Sequence, residues 1–176
     1  MAVIMATTYP DLYAAVGVHS GLPYASARDL PSAFAAMRGS VPGVHPQAHA
    51  QDRRASDLRL SSIPIIVFHG DRDTTVNARN GDQLMEQNVS EFIFDKHDTG
   101  SRTKPDVIVE EGNVPNGHRY TRTSHRAEDG HTLAEHWVIH GAGHAWAGGS
   151  KRGSYTDARG PDATREMIRF FYSHSQ

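Results

Sequence analysis

The stretch Ile63-Pro64-Ile65-Ile66-Val67-Phe68-His69-Gly70-Asp71-Arg72-Asp73-Thr74-Thr75-Val76 decides how this sequence is read. Its first half is short, almost continuously apolar and β-branched, the pattern of a strand covered on both faces in a parallel sheet. Pro64 stands near the start of the run, where a missing N–H is tolerated. The run ends in Gly70-Asp71-Arg72-Asp73, a polar turn at the carboxyl end of the strand. A rigid strand followed by an exposed turn is where α/β folds keep their chemistry, so Asp71 and Asp73 become candidate acids.

Toward the N-terminus, Tyr13 to His19 is a second short apolar run and predicts a parallel neighbour. Ala2 to Ala6 is apolar from the outset with no capping residue before it, like the middle of a buried helix, and Tyr9-Pro10 ends that helix. Gly21 to Ser61 has weak periodicity and reads as a loop excursion with one short helix over Ser32 to Met37. Downstream, Asn77 to Gln87 predicts a helix, although Gly81 weakens it by about 1 kcal/mol relative to alanine. Glu91 to Gly117 breaks into short pieces. Arg119 to His125 then alternates in strand fashion, Glu128-Asp129-Gly130 supplies a hairpin turn, and Thr132 to Ile139 returns. Gly160-Pro161-Asp162 opens a last helix with proline at its first position, and Ala163, Met167, Phe170 and Phe171 form one apolar face. The expected architecture is a single α/β domain over residues 1–176, with a mostly parallel sheet, flanking helices and an inserted β-hairpin.

Composition narrows the function. A chain of 176 residues can bury about 70% of its unfolded surface in one core. Its net charge of -2 is mixed along the sequence, which argues against nucleic acid or a membrane surface as partner. The absence of cysteine removes disulfides, thiolate metal sites and a cysteine nucleophile. No apolar run approaches the roughly 18 residues of a membrane span, and no leader pattern is present, so the chain reads as soluble with its compartment unassigned. The Asn88-Val89-Ser90 sequon matters only in a glycosylating host.

Twelve histidines crowd toward the C-terminal half. The segment Trp137 to Gly149, WVIHGAGHAWAGG, runs from a strand into a Gly-rich turn that presents His144. A carboxylate that orients an imidazole is two thirds of a nucleophilic triad, and Asp73 and His144 sit on two such strand ends. Asp71 competes with Asp73 for the acid's place. Ser20, His69 and Trp146 are candidate pocket-lining residues, Trp146 through its large apolar face. A rival reading takes His136-x₃-His140-x₃-His144 as a metal site for a hydrolase. On a helix that spacing would stack three imidazoles on one face, but Val138, Ile139, Gly141 and Gly143 argue against a helix.

The segment from Ile65 to Val76 resembles the H-G-x-x-D-x-x-V strand and acid loop of α/β-hydrolases. Residues 137–171 and the opening MAVIMATTYPDLYAAVGVHSGLPY resemble the polyhydroxybutyrate depolymerase family of esterases. The resemblance implies serine ester hydrolysis without a cofactor, Asp73 as triad acid, His144 as triad base, and a small ester or a polyester as substrate. In that family a G-x-S-x-G serine stands just before the helix that residues 2 to 8 continue. The motif is absent here, and the nearest decoy, Gly17-Val18-His19-Ser20-Gly21, has its serine one place late. The expectation is therefore the C-terminal half of an α/β-hydrolase, truncated so that Met1 is an internal methionine of a longer product, and inactive alone. The alternative to the hydrolase reading is a non-catalytic fragment or an oligomerising or binding module, and pairing through an exposed sheet edge with a second copy or with the missing N-terminal half is expected.

Overall fold

A computed structural model describes residues 1–40, 63–94 and 104–175. Its centre is the strand read first, β2 (Ile65–Gly70), where every residue is buried. β1 (Val16–His19) and β5 (Thr132–Ile139) flank it in parallel, with Val67 opposite both Val18 and His136. Beyond β5 lie β4 (Arg119–Arg126) and β3 (Asp106–Asn113), an antiparallel hairpin that extends the sheet to the order β1-β2-β5-β4-β3. The fold is thus mixed α/β: a parallel trio carries the core, and the hairpin gives it a flank. A separate parallel pair joins β6 (Trp146–Ala147) to β7 (Thr156–Asp157).

Strand alternation sorts β2 onto two faces. Ile65 and Val67 join Val16, Val18, Leu84, Met85 and Ala134 on one side, under α1 (Ala2–Thr8) and α3 (Arg79–Phe94). Ile66 and Phe68 join Trp137, Ile139, Met167 and Phe170 on the other, under α4 (Ala163–Tyr172). The continuous apolar run follows from this double cover, since neither face of the strand meets water. Ile66, Val67 and Phe68 are each 0% exposed. Burial at this level contributes roughly 1.5–3 kcal/mol per large side chain. Glu135 is carried on the α4 side, where it accepts hydrogen bonds from Arg169 (2.6 Å) and the Trp137 indole (3.1 Å).

Several elements differ from expectation for local reasons. The first strand begins at Val16 rather than Tyr13, because a single 3-10 turn at Pro10–Leu12 precedes it. α2 (Leu30–Met37) starts two residues before Ser32, capped by Asp29, whose carboxylate accepts the Ser32 N–H at 2.8 Å. The rest of the predicted excursion, from residue 41, lies outside the described residues. α3 runs on to Phe94, past the predicted end at Gln87. Pro161 precedes the last helix's cap instead of occupying its first turn. The cap itself is Asp162, which accepts the Arg165 N–H. β3 falls in the stretch read as broken pieces. It is an edge strand with both faces largely exposed, so it carries no apolar alternation to read. Asn88 of the sequon uses its side-chain amide to donate to the Ile63 carbonyl at 2.9 Å.

Candidate active site

The carboxyl ends of the three parallel strands meet at one edge of the sheet. β2 delivers Asp71 and Asp73, β5 delivers His140 and the loop to His144, and β1 ends at His19 and Ser20. This loop packs tightly on the end of β2: a Cβ on Gly70 would collide with the Ala142 carbonyl oxygen. Gly141 turns the chain at φ +79°, a conformation that side chains with a Cβ rarely adopt.

Two acid–imidazole pairs result, and they are built differently. Asp73 has its side chain fully buried. Its Oδ1 accepts the Thr75 and Val76 N–H groups at 2.9 and 2.8 Å, and its Oδ2 accepts from His144 Nδ1 at 2.7 Å. Burial by itself would raise this carboxyl. The bonds from Val76, His144 and Thr75 win, and hold it below the usual carboxylate range. An ionised carboxylate only accepts, so the His144 proton sits on Nδ1. The His144 ring is 42% exposed, and among the described residues its Nε2 has no hydrogen-bond partner.

Asp71 faces His140 instead, accepting from His140 Nδ1 at 3.0 Å and from the Gly141 N–H at 2.7 Å. Burial again works against ionisation, and Gly141, His140 and Arg72 outweigh it. His140 spends its second nitrogen as well, since Nε2 lies 2.9 Å from the Thr121 hydroxyl. A base needs a free nitrogen, which His144 has and His140 lacks.

The metal reading needed a helix under His136, His140 and His144. Residues 132–139 are strand, and the three imidazoles take different directions. His136 is buried near Asp82, with Nδ1 3.9 Å from its carboxylate, while His140 and His144 turn to separate acids.

The residues expected at the pocket wall divide. Trp146 is 36% exposed; it stacks on His19 with centroids 5.0 Å apart and donates through its indole to Thr164. Ser20 is 8% exposed at φ +50°, strained for a residue with a Cβ, with its N–H bonded to the Phe68 carbonyl. His69 is 1% exposed and belongs to the interior on the α3 side, so it does not form the wall.

Two participants were missed from the sequence. His19 Nε2 accepts the Ala147 N–H at 2.9 Å, which ties β1 to the segment just beyond His144. The ring's proton therefore sits on Nδ1, 3.3 Å from the Ser20 oxygen. Burial first, then the neighbouring His69 and His144, push His19 down to about 4 despite the opposing pull of Asp73. His118 bridges the start of the same loop, reaching the His140 carbonyl at 3.0 Å and Asp157 at 2.8 Å. The strand-end rule that singled out Asp73 beyond β2 extends to His19, the last residue of β1. Nothing local marks His118, whose partners lie 22 and 39 residues away.

The fold and this site define a mixed α/β protein whose parallel strands present a buried acid against an exposed imidazole. The chain belongs to the PHB depolymerase esterase family: the model described as "Esterase PHB depolymerase" matches residues 1–110. It is also 31% identical over 148 residues to a poly(3-hydroxyalkanoate) depolymerase C of Paucimonas lemoignei, an alignment covering 82% of this chain and 32% of that protein. The chain thus spans about a third of that relative's length. The family match takes in Asp73 and ends before His144, so the two are linked here by geometry. Among the described residues no helix is long and apolar enough to cross a membrane.

Proposed function

We propose that this chain carries the acid and the base of a carboxylic ester hydrolase of the Ser-His-Asp type, within the second half of an α/β-hydrolase fold. The observation that carries the reading is the 2.7 Å contact between His144 Nδ1 and a fully buried Asp73, with His144 Nε2 left without a partner among the described residues. In this mechanism Nε2 takes the proton of a serine hydroxyl as the oxygen attacks the ester carbonyl. It then returns that proton to the departing alcohol, and repeats the cycle with water to release the acid. Asp73 holds the Nδ1–H and stabilises the imidazolium. The exposed face of Trp146 offers an apolar wall for an acyl or polyester chain, in keeping with the name of the depolymerase it resembles.

The sequence contains no G-x-S-x-G. Ser20 does not substitute, because its neighbour His19 has Nε2 committed to Ala147 and points a proton at the serine oxygen. Loss of a triad serine costs about 10⁶ in turnover. The chain alone is therefore expected to leave a chromogenic short-chain ester intact and to take up no fluorophosphonate. When it is joined to the elbow-bearing half of a family member, turnover should appear and be abolished by His144→Ala. Turnover that survives His144→Ala would sink the proposal.

A second reading concerns assembly. Among the described residues β1 pairs only with β2 and so forms a sheet edge, and the adjoining α1 region exposes Ile4, Leu12 and Tyr13. An unpaired edge beside apolar side chains favours strand addition by another chain. Sedimentation of the chain across concentrations tests this: self-association is expected, and a concentration-independent monomer rejects pairing with a second copy.

A further inference from the structure

Beneath the acid loop, two ring nitrogens are buried with no hydrogen-bond partner among the described residues: His69 Nδ1 and His136 Nε2. The residues are 1% and 8% exposed. Both face α3, and both approach one spot, for a Cβ on Gly81 would stand 3.1 Å from His69 Nδ1 and 2.9 Å from His136 Nε2. A side chain at position 81 would therefore press on both nitrogens.

The lone pairs can be assigned from the other side of each ring. His69 Nε2 lies 2.9 Å from the Val76 carbonyl oxygen, which only accepts, so Nε2 carries a proton and the neutral tautomer compatible with this contact has Nδ1 bare. His136 is pushed down to about 4 by burial, with Asp82 pulling upward and His69 and His125 reinforcing the fall, so its ring is neutral near pH 7. Its Nδ1 faces the Asp82 carboxylate, which favours the proton on that side and leaves Nε2 bare. Two acceptors therefore converge and require a donor between them. A structural zinc takes four ligands, which two imidazoles do not supply. A water molecule satisfies both by donating one proton to each, and two polar partners suffice to hold it.

We propose that one water molecule binds over Gly81 between His69 Nδ1 and His136 Nε2, and that it holds His69 as a positioning residue for Asp73. The connection runs through Val76: its carbonyl accepts from His69, and its N–H donates to Asp73 Oδ1 at 2.8 Å. His69 Nε2 also lies 3.5 Å from Asp73 Oδ2. The geometry stands by itself, and only the naming of Asp73 as the acid rests on the proposed hydrolysis.

The test is NMR of the full chain with ¹⁵N-labelled histidine rings at pH 7. In the unmodified protein His69 should carry its proton on Nε2, and the rings of His69 and His136 should show cross-peaks to a slowly exchanging water. Gly81→Ala should remove those cross-peaks, shift the His144 Nδ1–H resonance, and lower the melting temperature although alanine is the better helix former. His69→Gln keeps a donor for Val76 and should retain the His144 resonance, whereas His69→Leu should lose it. A His69 protonated on Nδ1, the absence of a water cross-peak in the unmodified chain, or a Gly81→Ala variant with unchanged signals overturns the proposal. None of these readouts needs ester turnover. A failure of the hydrolytic reading would leave them standing, and their failure would leave that reading untouched.

Discussion

Replacing Asp73 by Asn tests the centre of the site, because the two side chains have the same shape and differ in charge and in one donor. The amide oxygen can still accept the Thr75 and Val76 N–H groups. What inverts is the contact to His144, where an NH₂ would meet the Nδ1–H at 2.7 Å. Two donors cannot face each other, so the ring must move its proton to Nε2, the atom that should act as base. A hydrogen bond to a charged group contributes roughly 1.5–3 kcal/mol, and here the acid has no water to replace it. For a domain of this size that corresponds to a fall of about 3–12 °C in melting temperature. Asp71→Asn is the control: its acid and His140 are 37% and 40% exposed, and such pairs contribute about 0–1 kcal/mol. Melting curves at pH 7, read with ¹⁵N spectra of the His144 ring, decide the matter. An unchanged tautomer, or an Asp71→Asn variant as unstable as Asp73→Asn, would refute the assignment. The sign with pH is also set. Asp73 lies below its unfolded value, so its contribution is present above about pH 4 and fades on further acidification. The gap between wild type and variant should close in acid.

Other perturbations have equally definite outcomes. His19 and His136 are both held near 4, so the unfolded chain binds protons that the native one refuses. Stability should therefore fall as pH drops from about 6.5 to 4, by up to about 1.4 kcal/mol per pH unit per group, and urea titrations of a His19→Gln, His136→Gln variant should show a flatter profile. Asp157 is held at about 2, against burial, by Arg159 and His118. Its contribution is present above about pH 4 and lost toward pH 2, and Asp157→Asn should flatten that acid limb in circular dichroism. Phe68→Ala removes a 0% exposed ring that stacks against Trp137 and His19, and should cost about 3–5 kcal/mol in denaturant unfolding. Arg169→Ala leaves the Glu135 carboxylate, 4% exposed, with only the Trp137 indole among the described residues. It should destabilise by up to about 3 kcal/mol, with Arg169→Lys recovering part of the loss.

The parallel core was legible because its signal is local. Ile65 to Phe68 must be apolar on both faces to lie between two helical layers, and the polar turn that follows can only be a strand end. The last helix announced itself through its apolar period and the Gly160-Pro161-Asp162 start signal, although the cap proved to be Asp162, and the β4–β5 hairpin through Asp129-Gly130. β3 left no trace, since an edge strand exposed on both sides buries nothing that would impose a pattern. Gly81 is the instructive case. By helix propensity it is a weakness, whereas in the fold it makes room for His69 and His136, which are 12 and 55 residues away along the chain.

The sequence by itself determined the α/β class, the buried central strand, and the placing of Asp73 and His144 at strand ends, because each follows from neighbouring residues. The family resemblance named Asp73 and His144 as partners, but the contacts that separate this pair from Asp71 and His140 come only from the tertiary structure. Asp71 and Asp73 are two residues apart and chemically identical, and the choice turns on which reaches a buried position under two backbone N–H groups. His140 and His144 are likewise alike until Thr121 closes one nitrogen of the first and leaves the second free. Hydrogen bonds spanning some seventy residues depend on the register of three strands, and no local pattern encodes that register.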